Sequence, residues 1–368
     1  MQRCLVLAER GAGAVSPNPM VGAVLVAPDG TVLGEGWHQR YGGPHAEPLA
    51  LADAEARHGP DALRTATLYV NLEPCSHFGK TPPCADLLLA KGIPRVVVGM
   101  TDPNPQVAGR GLARLRAQGV EVTVGVQEGA CQRLNEAFTH HLCTGRPLVT
   151  LKLAQTLDGR IADATGAARW ISGAAARHRV HQWRATHDGV LVGYGTAQAD
   201  DPALTVRHVA GRQPTRIVLD RMGRLSPEQQ LFSDAWASHT LAVVGTDAAP
   251  AYAQALCSRG GRIWRLPEAD GHLDLVALLD RLGHEGQVGG YPMASLLVEA
   301  GPGLATVLFR QDLVDRFCLF IAPKLLGAGT PVLYDLGLTH LAGARTFAEH
   351  TWEPVGDDLL FCGYRHAV

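Results

Sequence analysis

Pro44-His45-Ala46-Glu47, then Leu72-Glu73-Pro74-Cys75 and, after the eight residues from Ser76 to Pro83, Cys84, form the stretch from which the rest of the chain is read. One imidazole and two thiolates, here His45, Cys75 and Cys84, make three protein ligands for a single Zn²⁺ and leave a fourth position open. An open position marks a catalytic rather than a structural zinc. Glu47 is not a ligand in this pattern; two residues past the histidine, it is placed to move a proton between a water and a ring nitrogen. The pattern of residues predicts a helix over 45–57, rich in Ala, Leu and Glu, and a strand over 66–72 that ends just before Cys75. Pro82-Pro83 opens a second helix with Cys84 in its first turn. Both half-sites therefore fall at helix N-termini, where the backbone dipole favours thiolate over thiol. The bland alternative is a pair of core cysteines. A strand-end Pro-Cys, a helix-start Cys and an upstream His-Ala-Glu occurring together make it the weaker reading.

Working outward, the first half alternates strand and helix. A short helix over 1–10 precedes a hairpin of strands 21–27 and 31–37 around the Asp29-Gly30 turn. Strands at 95–100 and 120–124 and helices at 111–118 and 128–142 complete the order αββαβαβαβα, an α/β sandwich around a mixed sheet. Gly145-Arg146-Pro147 reads as a junction. Beyond it lie strands at 148–154, 189–192, 216–219, 241–245, 295–300 and 316–322, with helices at 174–186, 273–282 and 304–311. Two α/β domains of unequal size, 1–145 and 146–368, follow from this. There is no internal repeat and no low-complexity segment.

The composition narrows the function classes. With 368 residues, 46% hydrophobic and 18% charged, the chain reads as an ordinary soluble globular protein of two or three domains. A net charge of −2 and 6% aromatic residues argue against a nucleic-acid-binding surface. No apolar run is long enough to span a bilayer, and residues 1–10 lack a signal-peptide pattern, so no membrane partner is expected. The eight cysteines are scattered, which fits reduced thiols in the cytoplasm better than a disulfide framework. His38, His58, His77 and the pair His140-His141 show no ligand spacing and are read as surface or satisfied histidines.

The His-x-Glu and Pro-Cys halves follow the signature of zinc nucleobase deaminases, except that the cysteines there enclose two residues. The long inter-cysteine loop ending in Thr81-Pro82-Pro83-Cys84, together with Ser16-Pro17-Asn18-Pro19 and Asp102-Pro103-Asn104-Pro105, resembles one family. It is the bifunctional riboflavin-biosynthesis deaminase/reductase. Lys152-Leu153-Ala154, Leu157-Asp158-Gly159-Arg160, the run from Asp200 to Arg207, Val298-Glu299-Ala300-Gly301-Pro302 and Ile321-Ala322-Pro323-Lys324 resemble the family's second domain. The resemblance spans essentially the whole chain.

The resemblance implies an N-terminal cytidine-deaminase-like α/β/α sandwich with a mixed sheet and a C-terminal dihydrofolate-reductase-like α/β domain. It implies a zinc-dependent deamination of 2,5-diamino-6-(5-phosphoribosylamino)pyrimidin-4(3H)-one, followed by NADPH-dependent reduction of the ribosyl group to give 5-amino-6-(5-phosphoribitylamino)uracil. Glu47 would be the proton carrier, and Asn18, His77 and Lys80 would help hold the phosphoribosylated pyrimidine. In the second domain, Ala154, Trp170, Thr196, Asp200 and Gly301, Pro302, Gly303, Leu304, Ala305, Thr306 and Val307 would contact NADPH. Arg184, Leu204, Arg207 and Glu299 would contact substrate, and the two arginines suit a phosphate monoester. Lys152 is read as an active-site cation near the sugar. The family precedent implies a homo-oligomer.

Read from the residues alone, the second half lacks a G-x-G-x-x-G opening a first βαβ unit, which excludes a Rossmann assignment. Its best phosphate-binding candidate is the strand, glycine turn and helix from Leu296 onward, with Gly193-x-Gly195-Thr196 a weaker second. The chain departs from the family at Thr165-Gly166-Ala167-Ala168-Arg169-Trp170, where Ala168 offers no polar side chain to substrate. Arg221, after Asp220, is read as a solvated arginine, and family members usually begin several residues earlier than Met1. Two rival classes are a nucleic-acid-editing deaminase, opposed by charge and aromatic content, and a non-catalytic zinc scaffold, which would have no use for Glu47.

Overall fold

The computed structural model describes residues 1–76, 82–105, 107–269 and 271–366. It divides into two compact units, residues 1–145 and residues from 146 onward.

The first unit runs α1 (Gln2–Glu9), β1 (Gly22–Val26), β2 (Val32–Trp37), α2 (Ala46–His58), β3 (Thr67–Leu72), α3 (Cys84–Ala90), β4 (Arg95–Met100), α4 (Arg110–Ala117), β5 (Glu121–Val124), α5 (Glu128–Leu134) and α6 (Glu136–Thr144). Its sheet has the order β2-β1-β3-β4-β5, with β1 antiparallel to β2 and β3 and the rest parallel. The central strands β3 and β4 are mostly buried because both sheet faces are covered. Leu51, Ala54, Leu88 and Leu115 from α2, α3 and α4 pack on one face, and Leu5, Leu7 and Cys131 from α1 and α5 belong to the packing on the other. Glycines bring α2 unusually close to β2: a Cβ on Gly34 would come within 2.5 Å of the Ala50 carbonyl oxygen, and one on Gly36 would strike the α2 backbone. That contact sets the height of the α2 N-terminus.

One element departs from expectation. The single helix over 128–142 is two helices, broken at Asn135. The Asn135 side chain accepts from Met20 N at 2.8 Å and donates to Met20 O at 3.0 Å. Asn in a helix interior competes for backbone partners, and here the competing partner lies 115 residues away in sequence.

The second unit runs β6 (Leu148–Thr156), β7 (Arg160–Ala162), α7 (Ala174–Thr186), β8 (Gly189–Gly193), α8 (Tyr194–Asp200), β9 (Thr215–Leu219), α9 (Gln230–Ser233), β10 (Thr240–Gly245), α10 (Pro250–Cys257), β11 (Arg262–Leu266), β12 (Glu268–Ala269), β13 (His272–Leu273), α11 (Leu275–Glu285), β14 (Ser295–Glu299), α12 (Pro302–Arg310), β15 (Arg316–Ala322), β16 (Thr330–Pro331), β17 (Glu349–Val355) and β18 (Asp358–Tyr364). The main sheet has nine strands in the order β11-β10-β9-β8-β14-β6-β15-β18-β17. It is parallel from β11 to β15, and the C-terminal hairpin β17–β18 adds an antiparallel edge. That hairpin was not expected. Most of β17 is solvent-facing and polar, so its strand state rests on pairing with β18 rather than on an apolar alternation. Helix α8 was also missed, and α12 begins at Pro302, two residues before the expected start, because proline suits the first helical position.

Candidate active sites

In the first unit the end of β3 and the starts of α2 and α3 converge. His45 is the N-cap residue of α2, Cys75 follows β3, and Cys84 opens α3. The His45 Nδ1 atom lies 3.6 Å from Cys75 Sγ and 3.4 Å from Cys84 Sγ, and all three ligand atoms fall within 4.8 Å of one another. A tetrahedral zinc with sulfur at about 2.3 Å and nitrogen at about 2.1 Å would hold N and S about 3.6 Å apart, so the donor set fits that ion. Cys84 N donates to Cys75 Sγ at 3.2 Å. The Cys75 thiol is held down at about 4, chiefly by the Cys84 side chain and then by His45, against the effect of burial. Cys84 is pushed up in turn by the Cys75 thiolate beside it and by burial. A cation held by this donor set would favour the thiolate form of both cysteines.

Glu47 sits in the first turn of α2, 3% exposed. Burial pushes its carboxyl up to about 7, the Cys75 thiolate adds to the rise, and His45 opposes it. Asn18 reaches the same region through a histidine the sequence did not single out as part of a site. His38 is 2% exposed, with Nδ1 2.8 Å from the Pro44 carbonyl oxygen and Nε2 3.2 Å from Asn18 Nδ2. Its ring stands edge-on to that of His45 at 5.6 Å. Burial lowers the His38 pKa; a neutral ring donating from Nδ1 accepts at Nε2 and fixes the Asn18 amide. His38 is therefore satisfied, as expected, but is not a surface residue. His77 and Lys80 lie outside the described residues.

Another residue missed from sequence is Glu73, 5% exposed. Its carboxylate accepts from the backbone N–H groups of Asp102, Gly109, Gly111 and Leu112 at 3.1, 2.9, 2.9 and 3.3 Å. It ties the chain just before Cys75 to the start of α4. Nothing in its own neighbourhood of the sequence marks that role, because every partner is backbone.

In the second unit β6 and β14 lie side by side with Lys152 in register with Glu299. Arg184 of α7 donates from Nε and Nη2 to the two Glu299 oxygens at 2.6 and 2.9 Å, and from Nη1 to Thr205 O at 3.2 Å. Its fork is thus already occupied by a carboxylate, which the reading of two phosphate-facing arginines did not anticipate. Burial opposes ionisation of Glu299, but the Arg184 and Lys152 charges outweigh it and hold its carboxyl below the usual range. Burial lowers Lys152, with Arg184 adding to the effect and Glu299 opposing it. Leu204 is 2% exposed in a left-handed backbone conformation (φ 51°), and the exposed Arg207 donates from Nη1 to Thr205 Oγ1 at 2.9 Å. Lys152, Arg184 and Arg207 against Glu299 leave a cluster with excess positive charge.

The two glycine turns meet. Gly193 and Gly301 are the N-cap residues of α8 and α12, which follow the neighbouring parallel strands β8 and β14. A Cβ on Gly301 would lie 3.3 Å from Thr196 Oγ1, and one on Gly193 3.6 Å from Leu304. Pro302 has no N–H, and Ala305 N is bonded to Gly301 O at 3.1 Å. Among the described residues, Gly303 N and Leu304 N have no partner and are the open donors of this helix start. Ala305 and Thr306 are buried, and Thr306 Oγ1 accepts from Tyr334 N, so neither side chain is open to a ligand. Trp170 is 62% exposed, with the Arg177 guanidinium 4.5 Å from its ring. Arg169 joins this segment to the Asp200 carbonyl at 2.6 Å. Ala154 pairs with Phe320 along β6 and β15. Arg221 is half-exposed and ion-paired with Glu268 at 2.7 Å.

Residues 1–100 match the family model described as the cytidine and deoxycytidylate deaminase zinc-binding region, and residues 147–361 match the RibD C-terminal domain. The chain is 42% identical over 383 aligned positions to the riboflavin biosynthesis protein RibD of Escherichia coli, covering 98% of this chain and 96% of that one. The chain belongs to the RibD family. The RibD of Aquifex aeolicus is 38% identical over 98% of this chain and 96% of its own. A solved structure of the Thermotoga maritima diaminohydroxyphosphoribosylaminopyrimidine deaminase/5-amino-6-(5-phosphoribosylamino)uracil reductase superposes with a TM-score of 0.84 at 36% identity, covering 99% of this chain and 97% of that one. Acinetobacter baumannii RibD gives 0.84 at 35% identity with the same coverage. The chain is a bifunctional deaminase and reductase of riboflavin biosynthesis, and its two regions imply zinc and a nicotinamide cofactor. The fold class is the one the sequence implied: a cytidine-deaminase-like unit and a dihydrofolate-reductase-like unit. No helix among the described residues is long and apolar enough to cross a membrane.

Proposed function

We propose that residues 1–145 deaminate 2,5-diamino-6-(5-phosphoribosylamino)pyrimidin-4(3H)-one and that residues 146–368 reduce the ribosyl group of the product with NADPH, giving 5-amino-6-(5-phosphoribitylamino)uracil. The observation that carries the first step is the placement of a buried carboxyl, Glu47, against the three ligand atoms of His45, Cys75 and Cys84. Zinc held by these three would supply the Lewis acidity that ionises water near neutral pH. Glu47 takes one proton from the attacking water and passes it to the ring nitrogen as the C–O bond forms. It then takes the second proton from the new hydroxyl and gives it to the amino group, so that the C–N bond breaks with loss of ammonia and a carbonyl remains. Asn18, fixed by His38, holds the pyrimidine edge.

In the second unit the excess positive charge around Lys152, Arg184 and Arg207 supports recognition of a phosphorylated sugar. Arg207 meets the phosphate. Arg184 holds Glu299, whose remaining lone pairs accept from sugar hydroxyls. Lys152 holds the proton taken up by the sugar oxygen as NADPH supplies a hydride to the sugar carbon. The open N–H groups of Gly303 and Leu304, with Thr196 beside Gly301, receive the cofactor pyrophosphate. Ala154, Trp170 and Asp200 complete the cofactor side. An enzyme consuming NADPH and a phosphoribosylated pyrimidine fits the cytoplasm; the homo-oligomer rests on the family precedent alone, and sedimentation of the full chain tests it.

Metal analysis combined with ammonia release and substrate-dependent NADPH oxidation on the full chain tests this reading. Glu47→Gln is expected to keep one zinc, lose ammonia release and still reduce the deaminated pyrimidine. Ammonia release unaffected by Glu47→Gln, or a fully active chain without zinc, would sink the proposed deamination. A preference for NADH over NADPH would overturn the cofactor assignment.

A further inference from the structure

Residues 201–207 belong to no helix or strand, yet Leu204, Thr205 and Val206 are buried. Buried backbone without a ladder needs partners from elsewhere, and here side chains supply them. Ala203 O accepts from Arg216 at 2.9 Å and Thr205 O from Arg184 at 3.2 Å. Val206 N donates to Gln213 Oε1 at 2.8 Å, and Val206 O accepts from Gln213 Nε2 at 3.0 Å. Arg207 N donates to His181 Nδ1 at 3.3 Å. The Gln213 amide thus offers Val206 the donor and acceptor that a neighbouring strand would offer. His181 lies three residues before Arg184 on α7, so both project from one side of the helix. Its ring also stands edge-on to His208 at 4.4 Å. Leu204, a non-glycine residue at φ 51°, is a conformation that surroundings must enforce.

We propose that Gln213 and His181 are positioning residues for the reduction: they fix the backbone that leads into Arg207 so that its exposed side chain meets the substrate phosphate already oriented. The inference rests on the reading that Leu204 and Arg207 face substrate. A preformed loop lowers the ordering cost of binding. Its loss therefore appears in substrate affinity and leaves the cofactor side and the other unit alone.

The test uses the full-length chain and compares Gln213→Ala, His181→Ala, His181→Gln and Arg207→Ala. Gln213→Ala and His181→Ala are expected to raise the reductase KM for the phosphoribosylated pyrimidine about ten-fold, with kcat changed less than about two-fold. Competitive inhibition by ribose 5-phosphate weakens in parallel, while the NADPH Kd and the deaminase kcat/KM stay at wild-type values. His181→Gln, which keeps an acceptor for Arg207 N, recovers most of the loss. Thermal unfolding checks each variant; should Gln213→Ala fail to fold, the two His181 variants carry the comparison alone. An unchanged KM in folded alanine variants, or an NADPH Kd that moves together with KM, overturns the inference. Arg207→Ala separates the two layers. If it alone raises KM, positioning by Gln213 and His181 fails while the substrate reading stands. If it leaves KM and ribose 5-phosphate inhibition unchanged, the substrate reading fails and takes the inference with it.

Discussion

Gly111 N–H donates to the Glu73 carboxylate at 2.9 Å, and a Cβ on the same glycine would collide with the carbonyl oxygen of Pro74, the residue before Cys75. The start of α4 and the approach to a metal ligand are therefore pressed together with no room for a side chain. Gly111→Ala must displace backbone, at a cost of about 1–3 kcal/mol in stability. Because the displaced backbone carries Cys75, zinc affinity falls about 10- to 100-fold, as for other groups that orient a ligand from behind. Competition with a chromophoric chelator measures this; wild-type affinity in Gly111→Ala would show that the Cys75 position does not depend on the contact.

Asn135 and Met20 give a second prediction. Asn135→Ala removes both bonds to the Met20 backbone and leaves the half-buried Met20 N–H without this acceptor, while Met20 O keeps the Asn71 amide donor at 2.9 Å, a loss of about 1–3 kcal/mol. Met20 follows the Ser16-Pro17-Asn18-Pro19 loop, so deaminase KM rises with it. Reductase kinetics of the same preparation stay unchanged.

Arg184 and Glu299 form an ion pair with side chains only 11% and 14% exposed. Glu299→Ala leaves the guanidinium uncompensated and costs about 3–5 kcal/mol. The apolar double variant Arg184→Met/Glu299→Leu recovers much of that stability without restoring reduction. Urea midpoints of the three proteins provide the check, and a double variant less stable than Glu299→Ala would contradict the argument.

His187 predicts an acid-labile second unit. It is 5% exposed, with Nδ1 2.8 Å from Trp183 O and Nε2 3.3 Å from both Thr150 Oγ1 and Arg316 Nη2. Burial, with the Arg316 charge adding to it, lowers its pKa from 6.5 to about 4. The unfolded chain then binds a proton that the folded chain refuses. Its contribution is complete above pH 6.5 and is lost as pH falls from there towards 4, by about 1.4 kcal/mol per pH unit. In denaturation series at pH 7, 6 and 5, His187→Gln is expected to lose less stability on acidification than the wild type.

Much of this protein is local in origin and could be read without coordinates. The candidate zinc ligands and Glu47 lie in short motifs at element ends, and β4, α7 and β15 have the bounds expected from the sequence, because apolar runs and helix-forming stretches declare themselves within a few residues. The break at Asn135, the edge strand β17 and the occupied fork of Arg184 do not. Each depends on a partner that the chain brings close only by folding: Met20, β18 and Glu299.

The sequence by itself determined which side chains are candidates for the chemistry: one imidazole, two thiols and a carboxyl in the first unit, and a lysine, two arginines and a glutamate in the second. Tertiary structure decided which of them remain available. Glu73 and Asn135 serve backbone groups, Arg184 serves Glu299, and Gln213 and His181 serve the segment that carries Arg207. The physical reason is that buried polar groups must be paired. Which donor meets which acceptor depends on where long loops return to the sheet, and no pattern of neighbouring residues encodes that.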